Sequence, residues 1–267
     1  MSLDYLCPLC TFALQKIDNT LSCENRHSFD FAKEGYVNLL PVQNKNSKHP
    51  GDSLEMVQAR RAFLEQGYYR FLQQALIEIV SDINADTLLD LGCGEGFYTH
   101  ALAQHTQAQV YGVDISKSAI KFAAKRYPNC HFSVASISEA PFKSQFADIL
   151  ISVFAPLFEH ELARLAKPNA QLIIASPGPW HLKELKELIY KHVNEHTEIQ
   201  PPSGFEHLKT TLISQQVQLE FNELKNLIMM TPFAWKFRPE QWHALEQTAS
   251  KSVTLSFYIS QFKVKNS

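Results

Sequence analysis

The sequence predicts a doubly wound α/β sheet with a small cysteine-rich module at its N-terminus, and three observations lead there. Short apolar runs alternate with amphipathic stretches from Thr87 onward, a glycine-rich turn follows the first of those runs, and three of the five cysteines fall within the first 23 residues. Strand and helix in alternation are the pattern of a parallel sheet covered by helices on both faces. At 267 residues the chain can hold one large domain beside a small one.

Residues 1–40 read as turns and short strands, too short a stretch for apolar burial alone to hold. Residues 41–52, with the polar run Gln43-Asn-Lys-Asn-Ser-Lys-His-Pro-Gly-Asp52, read as a linker. Ser53 stands where a helix cap is needed. Apolar residues then recur through Met56, Ala59 and Phe63, and again through Leu72, Leu76 and Ile79, with Gly67 separating two helices. Strands are expected at Thr87–Leu91, Gln109–Val113, His131–Ala135, Asp148–Val153 and Gln171–Ser176. Helices are expected near Tyr98–Gln104, Lys117–Arg126 and Glu159–Ala166, and from Trp180 to about His192. Thr211–Leu219 and Val253–Phe262 alternate and suit partly antiparallel edge strands. Residues 53–267 thus form the larger domain.

Composition narrows the function classes. Twenty-five Lys and Arg against 27 Asp and Glu give a formal charge of −2, which excludes a chain that is basic all over but not a local basic surface. Five cysteines are too few, and odd in number, for a disulfide scaffold. The first ten residues lack the basic and apolar regions of a signal peptide, and the longest strongly apolar stretch, Ile149 to Phe158, is about half a membrane span. The expectation is a cytoplasmic protein with no membrane partner, whose reduced cysteines are free to bind metal.

Cys7-Pro-Leu-Cys10 and Cys23-x3-His27 offer three thiolates and one imidazole, the donor set of a closed tetrahedral zinc site that would supply folding energy to a module with little core. The alternatives are a redox Cys-x-x-Cys beside an incidental Cys23 and His27, or iron–sulfur ligation. A redox pair belongs after a strand at a helix start, whereas this one lies almost at the terminus.

The stretch Leu88-Leu-Asp90-Leu-Gly92-Cys-Gly94-Glu-Gly96 follows the first strand and opens a helix, and Asp114 closes the second strand, placed to accept hydrogen bonds from ribose hydroxyls. The dinucleotide fingerprint would need a third glycine where Phe97 stands. A pyrophosphate would also sit badly beside Asp90 and Glu95, which a cationic sulfonium with an amino-acid tail tolerates. The pattern therefore favours S-adenosylmethionine over NAD.

Leu88–Gly96, Tyr111-Gly-Val-Asp114 and Ala135–Phe142 resemble the Rossmann-like class I S-adenosylmethionine-dependent methyltransferases. The cysteine cluster, Lys33-Glu-Gly-Tyr-Val-Asn-Leu-Leu-Pro41, Pro50-Gly-Asp52, Gln58-Ala-Arg-Arg61, Phe154-Ala-Pro156, Pro177-Gly-Pro179 and Met230-Thr-Pro-Phe-Ala-Trp235 extend the resemblance over nearly the whole chain, to the bacterial 23S rRNA guanine-N1 methyltransferases. The resemblance implies a class I sheet with an N-terminal zinc module and methylation of N1 of a guanine in a 23S rRNA hairpin loop. It is closest to the type acting at guanine 745, with the neighbouring guanine 748 as the alternative. Homodimer formation is left open. Carried onto this chain, it makes Cys7, Cys10, Cys23 and His27 the zinc ligands. Tyr69, Asp90, Gly92, Gly94, Gly96, Tyr98, Thr99, Asp114 and His181 would line the cofactor site. Many class I enzymes carry an acidic residue after the third strand to meet the adenine amine; here Ser136 or a backbone carbonyl must serve.

N1 of guanine carries a proton that must leave before the nitrogen can attack a methyl group, so the site needs alignment, desolvation and a proton acceptor. Phe154, at the end of the fourth strand, is placed to stack on the base, and Glu159 and His160 are the candidate acceptors unless they are simply a solvated helix start. Arg26, Lys33, Lys45, Lys48, Arg60 and Arg61 are candidate phosphate contacts, the last two equally suited to the outer face of a helix. Phe233, Trp235 and Trp242 could stack on unpaired bases or belong to the core. A small-molecule methyltransferase and a non-catalytic RNA-binding protein are the competing functions.

Overall fold

The computed structural model describes residues 3–41 and 51–265. β1 (Gln15–Ile17), β2 (Thr20–Ser22) and β3 (Ser28–Asp30) form a three-stranded antiparallel sheet in the N-terminal module. β4 (Val37–Asn38) leaves that sheet and pairs in parallel with β7 (His131–Val134), so the module supplies an edge of the main sheet. Two helices follow, α1 (Leu54–Glu65) and α2 (Arg70–Ser81). The Ser53 hydroxyl accepts the Met56 N–H at 3.2 Å, which caps α1 as the sequence requires. Gly67, between the helices, has φ +88°, a conformation that other residues adopt only with strain.

The main sheet has the order β10-β11-β9-β8-β5-β6-β7-β4. β5 (Thr87–Leu91), β6 (Gln109–Asp114), β7, β8 (Ala147–Val153) and β9 (Ala166–Pro177) run parallel, linked by α3 (Phe97–Ala103), α4 (Lys117–Arg126) and α5 (Glu159–Leu165). β11 (Lys251–Val264) lies antiparallel to β9, and β10 (Phe205–Leu219) antiparallel to β11. The chain moves from β5 to β6 on one side and returns to β8 on the other. That reversal opens a crevice at the carboxyl ends of β5 and β8, the place where doubly wound sheets bind ligands.

The region after β9 departs from expectation. In place of a helix from Trp180 to about His192 there is one short helix, α6 (Lys183–Lys186), followed by turns and irregular chain. Gly178 N–H donates to Ser256 C=O and Leu182 N–H to Thr254 C=O, so this stretch runs along β11 and holds His181 against it instead of winding. β10 begins at Phe205, earlier than its alternation suggests, because its first half is an exposed run of polar residues interrupted by Leu208. The helical material between β10 and β11 consists of α7 (Phe221–Met229) and α8 (Pro239–Glu246), with a 3-10 turn at Ala234–Lys236.

One face of the sheet buries Leu88, Val110, Ile149 and Ile173 beneath Phe63, Leu72 and Leu76 of the helices. On the other face Leu89, Tyr111, Leu150 and Leu172 share a core with Tyr5, Leu14, Leu21 and Val37 of the N-terminal module. Tyr5 sits edge-on to Tyr111 at 5.7 Å and beside Phe142 at 5.2 Å. Residues 3–40 therefore cover part of the sheet, a contact between distant segments that residue spacing does not reveal. Among the described residues no helix is long and apolar enough to cross a membrane.

Because the two parts share a core, Tyr5→Ala is expected to cost about 3–5 kcal/mol in urea unfolding of the whole chain. A loss below about 1 kcal/mol would mean that the module sits apart. Chelating the metal is likewise expected to lower the main calorimetric transition rather than remove a small separate one.

Candidate active site and metal centre

Two tight turns assemble the metal centre. Cys7 N–H donates to Phe12 C=O and Thr11 N–H to Cys7 C=O, while Cys23 N–H donates to His27 C=O and Arg26 N–H to Cys23 C=O. Thr11 and Arg26 take φ near +60° to close these turns. The ligand atoms of Cys7, Cys10, Cys23 and His27 all lie within 4.8 Å of one another. Cys10 Sγ and Cys23 Sγ are 3.7 Å apart, and His27 Nδ1 is 3.5 Å from both Cys7 Sγ and Cys23 Sγ. Tetrahedral ligands at about 2.3 Å from zinc are about 3.8 Å apart, so the four residues fit one zinc ion with no position left for water.

At the crevice, β5 ends in a glycine turn. Gly92 N–H donates to Val113 C=O at 2.8 Å, and a Cβ at Gly92 would stand 2.3 Å from Ala155 Cβ, which forces glycine here. Asp114 Oδ2 accepts the Gly94 N–H at 3.0 Å and its Oδ1 the Ser116 N–H at 2.7 Å, so the carboxylate both braces the loop and starts α4. Asp90 is 1% exposed; its Oδ2 accepts the Thr99 hydroxyl at 2.6 Å and its Oδ1 has no partner. Glu95 Oε2 is also buried without a hydrogen bond, 3.6 Å from Arg60 Nη1. Burial, opposed by the Thr99 bond but reinforced by the charges of Asp114 and Glu95, pushes the Asp90 carboxyl up to about 7. Burial also raises Glu95 against the pull of Arg60, and Asp114 against its backbone hydrogen bonds. A crevice of three carboxylates, two with unpaired oxygens, fits a ligand that brings positive charge. S-adenosylmethionine, with a sulfonium and an ammonium, meets that requirement; a pyrophosphate does not.

Beside this loop lies an aromatic cluster. Phe154 stacks on His181 at 6.1 Å with 19° between the rings, and both face Tyr69 and Phe257. Phe154 has φ +56° and remains 43% exposed, an unusual backbone for an aromatic residue and one that turns its ring outward. His181 Nδ1 accepts the Ser256 N–H at 3.3 Å, which leaves the proton on Nε2. Burial, with the nearby Lys186 and His196, pushes its pKa down to about 3, so the ring is neutral.

With this geometry in place, comparison with known proteins is decisive. Residues 5–48 match the family model described as "RlmA, N-terminal", a zinc ribbon, and residues 83–246 match a methyltransferase domain. A Streptomyces fradiae protein named 23S rRNA (guanine(748)-N(1))-methyltransferase is 32% identical over 88% of this chain and 87% of its own length. The chain belongs to the 23S rRNA (guanine-N1)-methyltransferase family. A Bacillus subtilis (strain 168) member, provisionally named 23S rRNA (guanine-N1)-methyltransferase, is 29% identical over 94% of each chain. The crystal structure of the YcgJ protein from the same species shares the fold, with a TM-score of 0.50 at 16% identity, covering 73% of this chain and 98% of that one. As a member of this family the protein is an S-adenosylmethionine-dependent enzyme with a structural zinc site.

The structure gathers most of the residues that the family resemblance names. Gly92, Gly94, Gly96, Asp90, Thr99 and Asp114 surround the loop, and Tyr69, Phe154 and His181 share the aromatic cluster. The Tyr98 hydroxyl is buried without a partner. Ser136, just past β7, bonds the Ser138 hydroxyl at 2.7 Å. Glu159 and His160 are exposed on the first turn of α5; Glu159 accepts the Ser203 N–H and His160 packs near Phe158, so neither joins the Phe154 cluster. Arg61 lies over Phe122, whereas Arg60 turns inward to Asp52 and Glu95 and is not a free phosphate contact. Phe233 and Trp242 pack with Phe237 in the core, while Trp235 is 78% exposed. Lys45 and Lys48 lie outside the described residues. Sequence reasoning missed Phe257, which carries no motif, and gave no role to Ala155 within Phe154-Ala-Pro156; both matter through what they touch.

With burial pushing the Asp90 carboxyl up to about 7, a cationic ligand meets its ionised form in growing proportion as pH rises through that value. Binding of S-adenosylmethionine is therefore expected to tighten as pH rises from 6 to 8 and level off above, with Asp90→Asn flattening the profile. Calorimetric titration at several pH values measures this; a profile unchanged in the variant would remove Asp90 from the site. Gly92→Ala, which drives a Cβ into Ala155, is expected to weaken binding at least about tenfold.

Proposed function

We propose that the protein transfers the methyl group of S-adenosylmethionine to N1 of a guanine in a 23S rRNA hairpin loop, at guanine 745. The observation that carries this reading is the exposed ring of Phe154, held in a left-handed backbone directly beside the glycine loop. A flat apolar ring at that point suits a base drawn out of a loop, which RNA enzymes bind by stacking and by hydrogen bonds to its edge. A second reading, guanine 748, is favoured by the name of the Streptomyces fradiae relative.

When bound, S-adenosylmethionine supplies an electrophilic methyl group on sulfur. The chain does the remaining work. Asp114 and Ser136 hold the nucleoside end. Phe154 stacks on the guanine and, with Tyr69 and Phe257, keeps water from its ring. The His181 Nε2–H is a donor suited to the guanine O6, where negative charge gathers as N1 loses its proton. Glu159 and His160 are the proposed proton acceptors, and His160 is the freer of the two, since it makes no hydrogen bond among the described residues. On the RNA side, Trp235, flanked by Lys236, offers a second stacking surface, and Arg26 and Lys33 of the zinc module offer phosphate contacts. We further propose a cytoplasmic location, where the nascent ribosome supplies the substrate.

The purified protein should convert guanine to N1-methylguanine in a transcript of the 23S rRNA hairpin, with mass-spectrometric mapping reading position 745. Methylation confined to 748 would favour the second reading, and none at either guanine would reject both. Phe154→Ala is expected to lower kcat/KM by about 10- to 100-fold while leaving S-adenosylhomocysteine affinity within about twofold, in line with about 1–3 kcal/mol per stacked base.

A further inference from the structure

The sequence offers Arg60 as a phosphate contact or an outer-face residue of α1, and the structure gives it neither position. Its guanidinium reaches over the glycine loop. Nη2 donates to the Asp52 carboxylate, Nη1 lies 3.6 Å from Glu95 Oε2, and a Cβ added to Gly94 would meet that same Nη1 at 3.3 Å. Asp52 is held in place in turn, since its backbone carbonyl accepts the Ser116 hydroxyl at 3.2 Å and Gly51 packs against Ile115 and Ser116. A phosphodiester at this guanidinium would bring negative charge alone to a place already facing Asp52, Glu95 and Asp114, which argues against the phosphate role, whereas an anionic group that carries a cation of its own would not add net charge there.

The unpaired groups around the loop form a pattern. Arg60 uses one of its five N–H donors in a hydrogen bond among the described residues. The Tyr98 hydroxyl, within electrostatic reach of Arg60, Glu95 and Asp90, is buried without a partner. Asp90 Oδ1 and Glu95 Oε2 are buried acceptors without a hydrogen bond, the latter with only the 3.6 Å ionic contact to Arg60. Donors and acceptors left without hydrogen bonds around one glycine loop are the complement of an α-amino acid zwitterion. We propose that Arg60, with the Tyr98 hydroxyl, binds the α-carboxylate of the methionine tail of S-adenosylmethionine, while Asp90 and Glu95 receive its α-ammonium. Asp52 is then a positioning residue that fixes the guanidinium above Gly94. The assignment rests on the cofactor and not on which guanine is methylated.

Isothermal titration of the full-length protein with three ligands tests it: S-adenosylhomocysteine, its decarboxylated analogue, and 5′-methylthioadenosine, which lacks the tail. The wild type is expected to bind S-adenosylhomocysteine about 10- to 100-fold more tightly than the decarboxylated analogue, the range for a charge-assisted hydrogen bond. Arg60→Gln should lose that discrimination and keep its affinity for 5′-methylthioadenosine within about twofold, with Arg60→Lys intermediate. Equal wild-type affinity for the first two ligands would overturn the assignment without any variant. So would a uniform loss for all three ligands in Arg60→Gln, or a loss of rRNA hairpin affinity with S-adenosylhomocysteine binding unchanged. Failure to methylate rRNA alongside the expected ligand pattern would defeat the functional reading and leave this assignment standing.

Discussion

The crevice at the carboxyl end of β5, with β6 and β8 on either side, confines three carboxylates, Asp90, Glu95 and Asp114, beside the Arg60 guanidinium. Burying like charges together opposes folding unless they are neutralised or paired, and here the protein does both in part. Asp114 receives two backbone N–H groups, Asp90 a hydroxyl, and Glu95 the edge of Arg60. What remains is a preformed demand for positive charge. The glycine turn, the placement of α1 over the loop and the anchoring of Gly51 and Asp52 on Ser116 all keep those groups close enough for one ligand to answer it. The crevice is thus selective before any base arrives.

Next to it the aromatic cluster is almost free of charge. His181 is neutral, Tyr69 and Phe257 are buried, and only Phe154 reaches solvent. Carboxylates gather on one side of Ala155 and an apolar aromatic cluster on the other. Nothing in the arrangement requires the zinc centre to take part: its four ligands close on one another, and its consequence for the site passes through packing.

Features written into local sequence were legible. The Ser53 cap, the alternation of β5, β6 and α4, the Gly92-x-Gly94-x-Gly96 turn with Asp114, and the spacing of the zinc ligands each depend on residues near one another in the chain. What escaped depends on the third dimension. Arg60 and Arg61 are adjacent and chemically identical, yet one turns to Glu95 and the other onto Phe122, because successive residues of a helix point about 100° apart and meet different neighbours. Trp180 to His192 has helical composition, but Leu182 N–H is drawn to Thr254 C=O of β11, and the backbone after it closes in short turns instead of one long helix. Phe233 and Trp235 sit two residues apart and end on opposite sides of the boundary with solvent.

The pairing of β4 with β7 bears on how the chain comes to be folded. Val37 sits beside Ser133, and parallel pairing between segments so far apart in sequence is slow to form. During synthesis the N-terminal residues leave the ribosome well before their partner strand exists. A metal-clasped cluster of turns can hold its shape during that interval, because its four ligands lie close together in the chain. Zinc supply would then set the yield of correctly assembled protein during translation, even where the finished enzyme retains its metal indefinitely.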